Sequence, residues 1–213
     1  MKKFFILFTV FAMPFCGFTQ SRYFINLNGA WDYSMNKYHE YNTNNLSPFQ
    51  HDGAEFSYGL DIGYKFSDIV RFRVEGRIGE YKYGGDWDSD SGFESSTMKI
   101  SYFDIIPRFD FRVWQKNKLE LFVSPGLKLE YISDANQKTI KADGTISREG
   151  YISSSYAENM AGIVGGAVLK YNINSKWGIT MSPEYTLFFK KLYEKNDNSM
   201  MRFSTRLGVE YSF

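Results

Sequence analysis

Long hydrophobic runs are the first thing this sequence lacks. Across 213 residues the mean hydropathy is −0.38, although 43% of the residues are hydrophobic. A helical membrane span needs about 20 consecutive apolar residues, so none is expected beyond the amino-terminal segment. Cysteine is limited to Cys16, which rules out a disulfide framework. Histidine is limited to His39 and His51, so catalysis has few candidate groups. An excess of either charge is also missing: 25 basic residues face 24 acidic ones, for a net charge of +1. That balance gives no reason to expect a nucleic-acid partner. Aromatic residues, in contrast, are abundant at 19%, with 20 Phe and 16 Tyr. Such rings suit strands and membrane interfaces, where one end is apolar and the other wet.

The single long apolar run is at the start. Lys2 and Lys3 precede the uncharged stretch Phe4 to Ala12, and Gly17-Phe18-Thr19 supplies a small-x-small site before Gln20. This pattern reads as a secretory signal peptide over residues 1–19, too short and wrongly flanked for a span. Residues 20–213 then form one domain. Cys16 lies within the segment, and the bulky Phe15 before it argues against a lipoprotein acceptor site. Cleavage after Thr19 leaves no cysteine and lowers the formal charge by two.

The carboxyl-terminal stretch organises the remainder. From Met201 to Phe213 the odd positions carry Met, Phe, Thr, Leu, Val, Tyr and Phe; the even ones carry Arg202, Ser204, Arg206, Gly208, Glu210 and Ser212. Alternation of period two predicts a β-strand with one apolar and one polar face. Similar alternation marks Tyr23 to Met35, Phe56 to Phe66, a strand from Val70, Met98 to Val113, Leu119 to Tyr131, Tyr156 to Tyr171 and Trp177 to Leu187. The third strand slips phase near Glu80, which predicts a β-bulge, and the fourth changes phase midway. Pro107, Pro125 and Pro183 fall mid-strand, where a residue without an N–H predicts a local bulge or bend. Long polar segments at 37–53, 84–95, 133–153 and 190–199 alternate with short turns at Ser67-Asp68, 115–118 and 172–176. A turn is expected at Asp143-Gly144.

About eight strands joined alternately by long and short connections match a transmembrane antiparallel up-and-down β-barrel, with long outer loops and short periplasmic turns. The sequence resembles the small eight-stranded outer-membrane barrels of the OmpA/OmpX-like family over essentially all of residues 20–213. It also resembles that family in its carboxyl-terminal signal, with Gly208, Tyr211 and Phe213 in the characteristic places after Arg206. The resemblance implies the outer membrane of a Gram-negative bacterium, with outer-membrane lipid and the barrel-assembly machinery as partners, the latter through the last strand. It leaves an extracellular ligand at the outer loops open and implies no cofactor. A secreted lipocalin-type barrel is the rival, since Gly29-Ala30-Trp31 matches that family's Gly-x-Trp. An eight-stranded interior has room only to be filled by side chains or to hold one small ligand, and the aromatic face would overfill it. Turning the third strand over would put Arg71, Arg73, Glu75 and Arg77 against lipid, at about 2–4 kcal/mol per Arg near the midplane.

The charged faces therefore point inward. Arg71, Arg73, Glu75, Arg77, Arg108, Asp110, Arg112, Glu120, Lys128, Glu130, Glu184, Arg202, Arg206 and Glu210 are the candidate lumen network, joined by Asp32, Asp61 and Lys65. They either pair and close the lumen or line a small porin-type channel, and pairing is what makes buried charge tolerable. Some barrels of this size are lipid A-modifying acyltransferases with an outer-loop His, Asp and Ser. His39 or His51 with Asp88 and Ser89 imitates that layout without matching its spacing, so the expectation is a non-enzymatic protein with no catalytic residues. Asp86, Asp88 and Asp90 resemble the first half of a calcium loop and are the candidate ligands of a weakly held divalent cation, although the usual sixth-place Gly is Ser91 and the twelfth-place Glu is Thr97.

Overall fold

The computed structural model describes residues 22–37, 53–86, 93–141, 143–149, 159–189 and 199–213. They form ten antiparallel strands: β1 (Tyr23–Lys37), β2 (Gly53–Lys65), β3 (Val70–Asp86), β4 (Phe93–Lys116), β5 (Leu119–Val123), β6 (Gly126–Lys141), β7 (Ile146–Glu149), β8 (Asn159–Asn172), β9 (Trp177–Phe188) and β10 (Ser199–Ser212). Strands β5 and β6 continue one another, and β7 lies on the same side of β6 as β8. The ring therefore has eight walls. One closure joins β1 to β10, from Phe24↔Ser212 up to Lys37↔Ser199. The β3–β4 pairing, from Val70↔Phe111 to Asp86↔Ser95, completes the circle.

The exterior is apolar and the interior charged, the inverse of a soluble core. Phe56 is 70% exposed and Leu27 67%, while Arg73 is 2% and Glu75 0% exposed. Rings gather at the end with the short turns. Tyr23, Tyr64 and Phe66 are in contact, as are Phe72 and Phe109, and Trp177, Tyr211 and Phe213, with centroids 4.7–5.2 Å apart. This is the aromatic girdle of one membrane interface. Towards the other end an exposed ion pair, Lys99 Nζ to Glu80 at 2.8 Å, appears on the outward face and marks where water returns.

Several expectations about the strands are corrected. β3 keeps one register against β4 past Glu80, so there is no bulge in β3 at that point. β4 does not change phase either: Ile100, Tyr102, Asp104, Ile106, Arg108 and Asp110 are all buried on one face. Its apparent slip comes from apolar residues placed inside the lumen. The irregularities lie elsewhere, at Val113 opposite β5, at Glu94 and at Ser133 of β6. Pro107 and Pro183 sit in unbroken register. The β4–β6 pairing passes from Ile105↔Leu129 to Arg108↔Gly126, and the β8–β9 pairing from Gly166↔Glu184 to Leu169↔Met181, with two residue pairs missing from each where proline has no N–H to give. Pro125 does interrupt its strand, separating β5 from β6.

The connections differ as well. The β2–β3 turn takes residues 66–69, with the amides of Phe66 and Ser67 both donating to the Val70 carbonyl. Much of the third polar segment is strand. β6 and β7 form a hairpin whose turn is at Asp143-Gly144, with Gly144 at φ 78. There the Thr145 amide donates to Asp143 Oδ1 at 2.8 Å, and this contact with Thr145 holds the Asp143 carboxyl below the usual carboxylate range. The second polar segment shortens too, since β3 reaches Asp86 and β4 begins at Phe93.

Close approach explains two glycines. The Phe24 ring lies over Gly63 and the Tyr102 ring over Gly79, each pair directly cross-strand, and a Cβ at either place would enter the ring. Gly166 meets backbone instead: a Cβ there would stand 2.5 Å from the Pro183 carbonyl oxygen, whereas one at neighbouring Gly165 meets nothing within 4 Å. Gly166→Ala should destabilise the refolded barrel by about 1–3 kcal/mol, and Gly165→Ala should be close to neutral. Urea unfolding in lipid vesicles, followed by Trp fluorescence, compares them. At the seam, the Phe213 amide donates to the Tyr23 carbonyl at 3.0 Å. Deleting Phe213 should lower the amount of folded, heat-modifiable protein on gels of unboiled samples.

Candidate functional site: the charged lumen

Alternation makes the site. Once the outer faces meet lipid, every second residue of each strand is committed to the interior. Among the described residues eight buried cations, Arg71, Arg73, Arg77, Arg108, Lys128, Lys170, Arg202 and Arg206, meet eight buried carboxylates, Asp32, Asp61, Glu75, Asp104, Asp110, Glu130, Glu184 and Glu210.

At mid-height two carboxylates are shared by three arginines from three strands. Arg77 Nη2 lies 2.9 Å from Glu75 Oε1 and 2.7 Å from Glu184 Oε1. Arg108 reaches Glu75 at 3.1 Å and Glu184 at 2.6 Å. Arg206 contacts Glu75 through Nη1 and Glu184 at 2.8 Å through Nη2. The planar guanidinium fork allows each arginine to serve both acids at once, which an ammonium does less well.

Below this centre Arg73 joins Asp61 at 2.6 Å and Asp110 at 3.1 Å, and Arg71 joins Asp110 at 2.7 Å and Glu210 at 2.9 Å. Lys170 meets Glu210 at 2.5 Å, and the half-buried pair Arg112–Glu120 closes at 3.3 Å. Asn26 and Asn28 donate their amides to Asp61. Above the centre Lys128 lies 2.8 Å from Asp104 and Arg202 lies 2.7 Å from Glu130. Asp32 accepts from Tyr102 at 3.0 Å and from the hydroxyls of Ser57 and Ser204.

Rings bracket the network at both levels. The Arg71 guanidinium is 4.0 Å from the Phe122 centroid and 5.0 Å from that of Phe24. Arg202 is 4.6 Å from Tyr102 and 5.4 Å from Phe188. These distances suit cation–π attraction, which grows when the cation is desolvated.

All fourteen expected lumen residues face the interior, with Arg112 and Glu120 only partly buried. Sequence reasoning missed Asp104 and Lys170, and it also missed the lumenal aromatics Phe24, Tyr102, Phe122 and Phe188. For Asp104 and the four rings parity was the available signal, since each lies an even number of positions from a lumenal charge on the same wall; β8 carries no second lumenal charge among its described residues to mark Lys170. Of the expected assembly residues, Gly208 faces inward, while Tyr211 and Phe213 join the girdle. Asp86 ends the backbone pairing of β3. Asp88, Asp90, Ser89, His39, His51 and residues 1–19 lie outside the described residues. Within the described residues no group of three His, Cys, Asp or Glu is placed to hold a metal ion.

A closed antiparallel ring of eight walls, greasy outside and charged within, defines the class: a membrane-spanning β-barrel. The chain belongs to the family described as the outer membrane protein beta-barrel domain, whose model matches residues 11–192. Its place is the outer membrane of a Gram-negative bacterium. No curated protein matches by sequence.

Solved structures share the fold at low identity. Neisserial surface protein A (NspA) is 13% identical with a TM-score of 0.52, covering 90% of this chain and 97% of that one. The outer membrane protein AlkL is 16% identical with a TM-score of 0.54, covering 93% and 92%. OprG from Pseudomonas aeruginosa is 12% identical with a TM-score of 0.52, covering 91% and 97%.

Removing one shared partner should leave an uncompensated buried charge. Glu75→Ala leaves Arg77, Arg108 and Arg206 sharing the single carboxylate of Glu184 and should cost about 3–5 kcal/mol in unfolding free energy, and Arg206→Ala should act in the same direction. Asp143→Ala, at the exposed hairpin turn, should leave the unfolding midpoint nearly unchanged. Urea titration of the refolded proteins in vesicles ranks the three.

Proposed function

We propose that the protein is a non-enzymatic outer-membrane barrel with a closed lumen, serving to brace the membrane and to present its outer hairpins to partners at the cell surface. The observation that carries this reading is the Glu75–Glu184 centre, where Arg77, Arg108 and Arg206 bridge carboxylates from β3 and β9, on opposite walls of the ring. An ion crossing there has to displace arginines held at 2.6–3.1 Å by fully desolvated carboxylates. The β6–β7 hairpin supports the surface role, because it carries paired strand beyond the Lys99–Glu80 level and ends in an ordered turn. The neisserial barrel of the same fold is named as a surface protein.

A small channel is the second reading, and the recess at the short-turn mouth favours it. Recordings in planar bilayers separate the two: the refolded protein should show no steady open conductance, and Glu75→Ala should introduce flickering currents as the centre loosens. A stable ion-selective open state in the unmutated protein would establish the channel instead.

A further inference from the structure

The network is not even along the barrel. At the short-turn end the lumen opens into a recess of about 620 Å³, within the range of small-molecule sites. Arg71, backed by Phe24 and Phe122, forms its floor. Five cationic side chains line the recess, Arg22, Lys65, Arg71, Arg112 and Lys170, against two carboxylates, Asp68 and Glu120. Glu210 and Asp110 stand behind the lining and are already taken, Glu210 by Arg71 and Lys170, Asp110 by Arg71 and Arg73. Glu120 is taken by Arg112.

Lys65 is the exception to the pairing rule. Its Nζ donates to the Ser212 hydroxyl at 2.8 Å, and no carboxylate among the described residues lies within 4.0 Å of it. An ammonium that is half withdrawn from water and held by one neutral oxygen retains two donors. Facing it across the mouth is Lys170, whose own acid is shared with Arg71. Low-dielectric walls around an excess of one sign concentrate counter-ions of the other.

We propose that this mouth is a binding site for a small oxyanion, a phosphate or carboxylate group seated between Lys65 and Lys170, with room in the recess for an organic body. The short turns face the periplasm, so the ligand comes from that side. The site stands apart from the mid-height centre and from the outer hairpins.

Calorimetry on the refolded barrel in zwitterionic micelles at low ionic strength tests this, with inorganic phosphate and citrate as separate probes. Saturable one-site binding is expected for at least one probe. Saturation by phosphate alone assigns a phosphate ligand, by citrate alone a carboxylate, and by both a general oxyanion site. Lys65→Gln should weaken it about tenfold, as the loss of one charged hydrogen bond does, and Lys65→Arg should restore most of it. Lys99→Gln, at the opposite interface, should bind as the parent does. Heat-modifiable migration confirms that each variant is folded, and Arg112→Gln serves if Lys65→Gln is not. Absence of saturation with both probes, or equal affinity in folded Lys65→Gln, would overturn the proposal.

Discussion

Hydrocarbon offers no water to a backbone amide, and everything else in this protein follows from that. An N–H or C=O left unpaired inside a bilayer costs several kcal/mol, so a sheet can cross only if it has no edge. The β1–β10 and β3–β4 ladders remove both edges. Proline is tolerated at Pro107 and Pro183 because two residue pairs drop out on one side of the strand without disturbing the register around them. Closure then sorts side chains by parity alone. Leu27, Phe56 and Leu207 meet lipid, and their neighbours in sequence have nowhere to go but inward.

An interior of eight walls is narrow, and it is filled here with matched charge. The match is by number and also by geometry. Arginines crowd the centre, where each must satisfy two acids, and the lysines occupy the flanks, where one or two suffice. The rings of Phe24, Phe122, Tyr102 and Phe188 sit above and below, turning their faces to guanidinium or ammonium groups. Apolar side chains also enter the ionic centre itself, where the buried Ile106 pairs across from Glu75.

How far this was legible in the sequence depended on where lipid imposed its rule. β10 and β9 read plainly, because each alternates strictly from end to end. β4 misled, because lumenal positions accept Ile100, Tyr102 and Ile106 as readily as Asp104, and an inward apolar residue looks like a change of phase. Lys170 escaped for a related reason: around Gly162, Gly165 and Gly166 the two faces of β8 are both small. Beyond the Lys99–Glu80 level neither face of a strand needs to be apolar, so the polar end of β6 read as loop although it is paired strand. Which arginine meets which acid depends on the stagger between walls, and no spacing within a single strand encodes that.

The β1–β10 seam also sets a timetable. Ser204 reaches Asp32 across 172 positions, and Arg202 reaches Ser34 across 168. Loop-closure entropy rises only about 0.6 kcal/mol per doubling of length, so such a span adds little to the equilibrium cost. Its weight falls on rate. Contacts this distant form late and make a fold slow, and until they form the growing sheet carries two unsatisfied edges. Ring closure thus separates a long vulnerable interval from a persistent finished state, since reopening requires parting an entire ladder at once in a medium with nothing to replace it.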